Sequence, residues 1–516
     1  MSDAHDPVRR RLLLGAAAAA GLHNVRGAAL NDRRPDKPLT DLTAREAVAL
    51  MSSGELSCER YAGELLERCR AARGLNAFIT LDPERVLADA RARDRERGAG
   101  VRPGPLFGLP IPVKDSVNTR DYRTTGGTPA LESFRPSADA PIVAALRSAG
   151  AIVLGKTNLH ELSYGWTSNN LAFGAVRNPY DPERIPGGSS GGTGAAIAAR
   201  LAPLGIAEDT EGSIRVPAAF CGIAGFRPTT GRYSTQGCVP ISPLFDQVGP
   251  HARNVADLLL FDSVAAATGA VAAAAAPLTE VTAPRLHGVR LGVARDYWYE
   301  GLDPEVERIT AAALERLRHA GAVLVEAPLP GLSPLIDQVT EPIQNHDVRF
   351  ALTRYLETYH ADVTFDQLVA RASPDIRAVF QQYVLPGGTD FVTEVAYAAA
   401  RDRHLPAIRN LYRNYFARTG VAAIVFPAVR VPPPRIGEET TLDIAGKKVA
   451  FEDAVARNIA PGSTAGLPGL VLPAGLTRHG LPVALEFDGP PGTDRALLML
   501  GLELEQSLGT LAPPRL

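Results

Sequence analysis

Six short apolar runs along the chain are the feature that most constrains its fold. They are "GLPIPV" (108–113), "AIVLG" (151–155), "APLGIA" (202–207), "VRLGVA" (289–294), "AAIVF" (422–426) and "GLVLPA" (469–474). Helical patterns lie between many of them. Continuous apolar strands separated by helices are typical of a sheet that is buried on both faces. The pattern therefore predicts an α/β fold with helices on both faces of a central sheet.

The segments outside these apolar runs differ from one another in composition and helical pattern. Residues 30–100 have helical patterns, and we expect them to form an N-terminal segment that packs on the core of the main domain. The main domain comprises residues 101–516. Within that domain, the proline-punctuated, low-complexity stretch at 268–286 predicts a surface excursion. Residues 300–420 are mostly helical by period and carry few motifs, so we predict that they shape the substrate site.

Two local signals mark helix starts in the N-terminal segment. Thr43 and Glu46 are three residues apart and form a capping-box pattern. Asp82 followed by Pro83 supplies an N-cap and a proline at the first helical position. The run "FITLD" (78–82), between these two signals, predicts a short strand.

The charge of the chain is nearly balanced, with 54 basic and 56 acidic residues and a formal net charge of −2. There is no basic stripe of the kind that binds nucleic acid, and no acidic tail. The expected partner is therefore a small molecule or another protein, and we leave open a homodimer.

The four cysteines are sparse for this length, and their spacing matches neither a C-x-x-C pair nor a zinc site. We expect them to be buried small hydrophobic residues. No metal and no organic cofactor is expected. The cysteines are Cys58, Cys69, Cys221 and Cys238.

The first 29 residues have a composition of their own. Three arginines at positions 9–11 precede an uncharged run at 12–22, which is too short to span a bilayer. This layout is typical of a twin-arginine export signal, and small residues at 27–29 offer a cleavage site. The alternative is a mobile tail in a cytoplasmic protein. Export would make the protein periplasmic or secreted, and no other segment is apolar enough to span a membrane.

The stretch "IPGGSSGGTGAAIAAR" (185–200) places glycine pairs around two serines, before an alanine-rich helical pattern. A Walker-type phosphate loop does not fit because no lysine follows, and the dinucleotide motif lacks its preceding strand. Residues 187–191 match the G-x-S-x-G nucleophile elbow, which also requires a preceding strand. A Ser-His-Asp enzyme would further need a histidine, and the candidates are His160, His251 and His346.

A third interpretation uses a lysine as the base. Lys114 ends an apolar run, where burial lowers the pKa of a lysine by disfavouring its charged form. A neutral lysine accepts a proton near neutral pH. Ser213 follows a glycine in "AEDTEGSIRVPAAFCG" (207–222), downstream of Ser189. The two serines and the lysine could form a Ser-Ser-Lys relay.

These segments resemble the amidase signature family over roughly residues 40–510. The resemblance is carried by "GGSSGGTGAAIAARLAPLGIAEDTEGSIRVPAAFCGIAGFRPT" (187–229), "GPLFGLPIPVKDSVNT" (104–119), "AGAIVLGKTNLHELSYG" (149–165), "NPYDPERIPGGSSGG" (178–192) and "TAGLPGLVLPAGLTRHGLPVALEFDGPPGTD" (464–494). It implies a single large domain with a central mixed sheet covered by helices. Within the family, the chain is most similar to arylacetamide-type members such as indoleacetamide and mandelamide hydrolases.

The resemblance also implies a role for each matching residue. Ser213 would be the acylated nucleophile, and Ser189 would carry the proton between Ser213 and Lys114. The peptide bond at Ser189 would be cis. The oxyanion hole would consist of backbone N–H groups, those of Thr210, Glu211, Gly212 and Ser213.

The chain departs from the family pattern near this loop. Family members commonly have Gly-Thr-Asp at 207–209, where this chain has Ala-Glu-Asp. Glu211 stands where Gly or Asp is more common. Its carboxylate should repel an oxyanion unless it points away or is paired, and Arg215 is a candidate partner. Arg227 replaces a lysine, which we expect to be neutral in effect.

The resemblance implies hydrolysis of a small carboxamide, of aryl or arylacetamide type, through an acyl-enzyme. The candidates for substrate binding are Trp166, Tyr164, Ser190 and Phe134. Two other functions remain open. One is an amidotransferase-type component that supplies ammonia within a complex, and the other is the Ser-His-Asp esterase.

Overall fold

The computed structural model describes residues 37–269 and 286–515. The export signal expected at residues 1–29 lies outside the described residues. Most of the surface excursion expected at 268–286 also lies outside them.

A mixed sheet of eleven strands forms the centre of the molecule, in the order β1-β3-β2-β6-β8-β7-β14-β15-β11-β9-β10. Two short hairpins, β4-β5 and β12-β13, stand apart from it. The strands are β1 Phe78–Leu81, β2 Pro110–Lys114, β3 Ile152–Thr157, β4 Asn169–Asn170, β5 Gly174–Ala175, β6 Leu204–Asp209, β7 Ala224–Arg227, β8 Gln247–Ala252, β9 Arg290–Val293, β10 Val323–Glu326, β11 Ala423–Pro427, β12 Thr441–Ile444, β13 Lys447–Ala450, β14 Gly469–Leu476 and β15 Pro482–Asp488.

The predicted strands are confirmed: "FITLD" forms β1, and the six apolar runs form β2, β3, β6, β9, β11 and β14. The sheet mixes both directions of pairing. Strand β2 runs parallel to β3 and β6, and β9 runs parallel to β10 and β11. The pairs β6-β8, β7-β14 and β14-β15 are antiparallel. The predicted α/β fold with a central mixed sheet is therefore confirmed.

Helices cover the sheet on both faces. They are α1 Ala44–Ser53, α2 Cys58–Ala71, α3 Pro83–Gly98, α4 Pro141–Ser148, α5 Gly191–Ala198, α6 Arg215–Cys221, α7 Val255–Ala265, α8 Arg295–Trp298, α9 Pro304–His319, α10 Leu332–Ile336, α11 Thr340–Thr358, α12 Phe365–Arg371, α13 Pro374–Val379, α14 Glu394–Ala399, α15 Leu405–Thr419, α16 Phe451–Val455, α17 Ala460–Ala465 and α18 Asp494–Leu508. Every residue of α5 is buried, which is what a helix made of small and apolar residues on all sides requires.

The N-terminal helices begin where their capping residues predict. Thr43 and Glu46 form a reciprocal capping box at the start of α1. The side chain of Asp82 accepts a hydrogen bond from the backbone N–H of Arg85 at the start of α3. The first turn of α1 also donates two backbone hydrogen bonds to the carboxylate of Asp257 on α7, so a buried charge ties this segment to the core.

The segment 300–420 contains helices α9–α15 and also strand β10, which extends the sheet at one edge. A separate apolar cluster joins this segment to the site. In it, Leu352 of α11 and Phe380 pack with Leu162 and Ile241, which belong to loops beside the site. Over 37–269 and 286–515, we find no helix with the length and apolar character needed to cross a bilayer.

Candidate active site

The site forms where strands β2 and β6 end side by side. These strands are parallel neighbours, with Val113 opposite Ile206, so their carboxyl ends meet at one edge of the sheet. Lys114 is the last residue of β2, and Ser213 lies on the short loop between β6 and α6. Ser189 immediately precedes Ser190, the residue that caps α5. Three sequence-distant segments therefore converge on one point.

Lys114 and Ser189 are in direct contact. The Nζ atom of Lys114 donates a hydrogen bond of 2.7 Å to the Oγ atom of Ser189, and neither side chain is exposed to solvent. Burial lowers the pKa of Lys114, although the nearby carboxylate of Glu208 opposes this shift. The contact brings a potential base to a hydroxyl in a dry environment.

Glycine around Ser189 allows the backbone to approach its neighbours closely. The peptide bond between Gly188 and Ser189 is cis, as the resemblance implied. A Cβ atom on Gly188 would lie 2.7 Å from the backbone carbon of Trp166. Gly187 has a φ of +81°, in the left-handed region that favours glycine. The glycines thus serve close backbone packing rather than phosphate binding.

Ser213 lies beside this contact and faces a cavity. The backbone N–H of Ser190 donates to the carbonyl oxygen of Ser213 over 3.3 Å. Within the described residues, no group hydrogen-bonds to the Ser213 hydroxyl, so its link to Ser189 is not formed as a hydrogen bond here. Ser213 is 6% exposed and belongs to the cavity lining.

The loop that carries Ser213 is held by Asp209. The carboxylate of Asp209 accepts backbone hydrogen bonds from Gly212, at 2.8 Å, and from Ile214, at 3.0 Å. The Gly212 N–H is therefore already used, which corrects its predicted place in the oxyanion hole. The backbone N–H groups of Thr210, Glu211 and Ser213 have no acceptor among the residues that the structure covers.

Asp209 belongs to a buried ion network. Arg215 and Arg227 both contact its carboxylate, at 3.1 Å and 3.0 Å, and Arg215 also contacts Glu486. Burial alone would raise the pKa of Asp209, but the two guanidinium groups outweigh it and hold that pKa well below its usual range. Asp209 is thus a fixed anion that orients the loop.

Glu211 is not paired with Arg215, contrary to the sequence expectation, because Arg215 is turned toward Asp209 and Glu486. Its carboxylate instead accepts a hydrogen bond of 3.0 Å from Gln344 of α11. Burial, with further repulsion from Glu341, raises the pKa of Glu211 to about 8. A protonated Glu211 carries no charge that would oppose an oxyanion on the neighbouring amides.

A cavity of about 220 Å³ opens in front of Ser213. Trp166 and Tyr164, two predicted substrate-binding residues, belong to its lining, and Tyr383 and Phe451 add further aromatic surface. The lining carries carboxyl groups and, among the described residues, no lysine or arginine. These carboxyl groups belong to Glu211, Glu341, Glu439, Glu452 and Asp375.

The two other residues predicted to bind substrate, Ser190 and Phe134, do not belong to this lining. The hydroxyl of Ser190 donates to the carbonyl of Glu208 over 3.0 Å and so joins the start of α5 to β6. Phe134 packs edge-to-face on Tyr355, with 6.3 Å between ring centroids. Phe134 was predicted from its nearness in sequence to a motif, which does not fix the direction of a side chain.

None of the three histidines considered for a Ser-His-Asp site hydrogen-bonds to Ser213 within the described residues. His160 lines the cavity, but its Nδ1 contacts Thr167. Burial lowers the pKa of His160 to about 4, so it is neutral near pH 7. His251 contacts the carbonyl of Ile214, and His346 contacts Glu394.

The four cysteines all lie in the described ranges, where they are buried and form no disulfide with each other. The part of the chain that the structure describes has no cluster of histidine, cysteine or carboxylate side chains suited to a metal ion.

Other cavity residues were missed by sequence reasoning, notably Gln344, Tyr383 and Phe451. They come from segments without motifs, and only the tertiary fold brings them to Ser213.

The family model described as Amidase matches residues 62–498. The chain is 39% identical to mandelamide hydrolase of Pseudomonas putida over 490 residues, which cover 91% of this chain and 92% of that protein. It is 37% identical to indoleacetamide hydrolase of Agrobacterium vitis, covering 91% and 97%. It is 34% identical to a glutamyl-tRNA(Gln) amidotransferase subunit of Roseiflexus castenholzii, covering 90% and 95%.

Solved structures agree with these sequence matches. A crystal structure of an amidase superposes with a TM-score of 0.78 at 31% identity, covering 91% of this chain and all of the other. The native peptide amidase of Stenotrophomonas maltophilia superposes with a TM-score of 0.75 at 30% identity, covering 93% and 99%.

Proposed function

Because this chain belongs to the amidase signature family, we propose that it hydrolyses a small aryl- or arylacetamide-type carboxamide to a carboxylate and ammonia or an amine. The observation that carries the proposal is the 2.7 Å hydrogen bond from Lys114 to Ser189 beside the cavity-facing Ser213. This arrangement supplies a base, a proton carrier and an accessible nucleophile in one place.

The acylation step begins with attack of the Ser213 hydroxyl oxygen on the amide carbonyl carbon. The proton of Ser213 passes to Ser189, whose own proton passes to neutral Lys114. The ammonium of Lys114 then returns a proton through Ser189 to the amine nitrogen as the carbon–nitrogen bond breaks. Binding of substrate would draw the hydroxyls of Ser213 and Ser189 together, since catalytic hydrogen bonds often tighten only in the complex.

Hydrolysis of the acyl-enzyme uses the same groups again. Water takes the place of the departed amine, gives its proton through Ser189 to Lys114, and attacks the ester carbon. Collapse of the intermediate breaks the bond to the Ser213 oxygen, which receives the proton back by the same route. Each cycle consumes one water and leaves the enzyme in its starting protonation state.

The oxyanion would be bound by the free backbone N–H groups of Thr210, Glu211 and Ser213. These donors are fixed before substrate arrives because Asp209 anchors the loop on both sides of Ser213. Fixed donors stabilise developing negative charge without reorganisation, and losing one typically costs about 3–4 kcal/mol of transition-state stabilisation.

The cavity favours an uncharged aromatic acyl group. Trp166 and Tyr164 offer aromatic surface, and helices α11 and α13 of the region 300–420 also contribute side chains to the lining. Since the lining has no described basic residue, an anionic acyl group would find no positive charge to pair with. The region 300–420 would therefore shape the substrate site, in line with the expectation from its helical pattern and scarcity of motifs.

The test is a panel of amides that differ in the acyl group. The purified protein is assayed for release of ammonia or amine from each. We expect phenylacetamide, indoleacetamide and mandelamide to be hydrolysed, and succinamic acid, whose acyl group is anionic, to be hydrolysed poorly. Mass spectrometry after treatment with a fluorophosphonate should find the adduct on Ser213. No amide hydrolysis by folded protein, or an adduct at another serine, would reject the proposal.

The amidotransferase alternative rests on the 34% identity to a protein of that kind. That function needs a partner protein, whereas the proposed one does not. Hydrolysis of the arylacetamides by the isolated chain therefore separates the two. Activity that appears only after co-purification with a second protein would favour the alternative.

A further inference from the structure

Glu208 is a buried carboxylate that the relay does not use. It lies on β6, one residue before Asp209, and is 1% exposed. Its Oε2 atom accepts a hydrogen bond from the hydroxyl of Ser116 and lies 3.8 Å from the Nζ atom of Lys114. Its Oε1 atom has no hydrogen-bond partner among the residues described. A buried carboxylate with one unsatisfied oxygen is costly, so its retention beside a buried lysine calls for an explanation.

We propose that Glu208 is a positioning residue that acts through Lys114, setting the pH at which this amine becomes a base and stabilising the ammonium formed during acylation. The inference rests on the proposed function. Glu208 itself accepts no proton from substrate. Burial raises the pKa of Glu208, whereas the charge of Lys114 and the hydrogen bond from Ser116 act in the opposite direction, so carboxylate and ammonium favour each other's charged form. The carboxylate performs for the lysine what a buried aspartate performs for the histidine of a Ser-His-Asp site.

The geometry favours an electrostatic role over a simple structural one. The hydrogen bond of Lys114 goes to Ser189, and the 3.8 Å separation from Glu208 is too long for a second one. Lys114 can therefore give up or take a proton without losing a direct contact to the carboxylate. Ser116 fixes Glu208 in place from the β2 side.

Other charged groups near Lys114 are already committed. Asp209 is neutralised by Arg215 and Arg227, and Asp115 is paired with Lys156 at 3.1 Å. Asp246 and Cys238 also affect the pKa of Lys114, and Lys114 in turn lowers the pKa of His160 and His251. Among the charged groups that raise the pKa of Lys114, Glu208 has the largest effect.

The sign of the effect follows from this arrangement. An opposite charge nearby favours the ammonium form and raises the pKa of the lysine, typically by about one to three units. Removal of the Glu208 charge should therefore lower the pKa of Lys114. The base form would then persist to lower pH, and the ammonium that forms during acylation would lose its stabilising partner.

The test measures inactivation by a fluorophosphonate as a function of pH. This reagent needs the relay to deprotonate Ser213, but its fluoride leaving group needs no proton, so the rate reports the base step alone. The acidic limb is the range in which the inactivation rate rises with pH as Lys114 loses its proton. In Glu208→Gln we expect this limb to move to lower pH by about one unit or more, and the rate on the plateau above it to fall about tenfold or more. Glu208→Thr, with the residue common in the family, should shift the limb in the same direction.

Two further variants separate charge from structure. Glu208→Asp keeps the charge, so its limb should stay closer to that of the wild type than the limb of Glu208→Gln. Asp115→Asn is the matched control, because it removes the carboxylate from the buried pair with Lys156, one residue along the chain from Lys114. It should lower the thermal stability without moving the limb.

One neighbour titrates in the same range. Burial, with repulsion from Glu208, raises the pKa of Asp246 to about 7. Asp246→Asn is therefore measured as well, and the acidic limb should persist in it. Disappearance of the limb there would assign it to Asp246 and overturn the inference.

The inference is also overturned if Glu208→Gln and Glu208→Thr both fold and their acidic limb stays in place or moves to higher pH. Glu208→Gln and Glu208→Thr could both fail to fold while Glu208→Asp folds. If the acidic limb of Glu208→Asp is then displaced by as much as one pH unit, the role of the carboxylate is structural and the inference is rejected. Neither result touches the proposed function, which fails if the folded wild type hydrolyses no amide or if the fluorophosphonate labels a serine other than Ser213.

Discussion

The Nζ atom of Lys114 lies 2.7 Å from the Oγ atom of Ser189, although the two residues are 75 positions apart in the chain. Strand β2 delivers the lysine and the turn before α5 delivers the serine. Both groups are buried, so the contact is made away from competing water. The proposed chemistry depends on this pair, and the first prediction concerns it.

Lys114→Ala and Ser189→Ala should each lower kcat for arylacetamide hydrolysis by about a thousandfold or more, since each interrupts proton transfer to and from Ser213. Turnover and circular dichroism are measured on the same preparations. Ser190→Ala is the matched control, because the hydroxyl of Ser190 joins α5 to β6. It should retain far more turnover and lose about 1 kcal/mol of stability. Equal losses in the two serine variants would contradict the relay.

Ionisation of Glu211 should produce an alkaline decline in kcat/KM. The pKa of Glu211 is raised to about 8, so the group is protonated below that pH and becomes an anion beside the free amides above it. Negative charge there opposes the oxyanion. We expect the alkaline limb near pH 8 to disappear in Glu211→Gln. A limb that remains unchanged in this variant would assign the decline to another group.

The same group makes stability depend on pH. In the folded state the pKa of Glu211 is about 8 against an ordinary value of 4.5, so the folded state binds more protons within that window. Stability contributed by the protonated form is complete below pH 4.5 and is lost as the pH rises through 8. Urea unfolding at several pH values should show the wild type weakening relative to Glu211→Gln across this window.

Trp166→Ala should raise KM for indoleacetamide about tenfold, because the side chain offers aromatic surface to the cavity. Phe134→Ala is a suitable comparison, since this ring packs on Tyr355 and lies outside the cavity lining. It should reduce thermal stability while KM stays near the wild-type value. A rise in KM in the Phe134 variant alone would show that the cavity is not where the acyl group binds.

Loss of Arg215 should unfold the loop around Ser213. Its guanidinium contacts Asp209 and Glu486, all three side chains are fully buried, and removing one partner of a buried pair typically costs about 3–5 kcal/mol. We expect Arg215→Ala to lose about that much in chemical denaturation. The exposed pair of Arg295 and Glu326, at 2.9 Å, gives the comparison, and Arg295→Ala should cost less than about 1 kcal/mol.

The sequence predicted strands that contain a continuous apolar run and missed two strands in which buried polar residues interrupt such a run. Strands β8 and β15 contain His251, Glu486 and Asp488, all fully or nearly fully buried. Such residues are normally exposed, so periodicity gives no strand signal there. They are accommodated because partners from distant segments contact two of them, Arg215 for Glu486 and the Ile214 carbonyl for His251.

The same distinction holds for the site. Lys114, Ser189 and Ser213 were predicted because each lies in a motif whose local chemistry is unusual, and the structure brings their segments together. The directions of side chains were not predictable. Arg215 was expected to face Glu211 from nearness in sequence, but the buried carboxylates of Asp209 and Glu486 attract it more strongly.

The complete burial of Lys114 has a consequence for the traffic of protons. An amine with no surface facing the solvent exchanges protons through its neighbours, and its one hydrogen-bonded neighbour within the described part of the chain is Ser189. A proton taken up during a reaction has the serine as its exit. Protons that reach Lys114 from solvent and protons that come from substrate therefore share one path, the hydroxyl of Ser189.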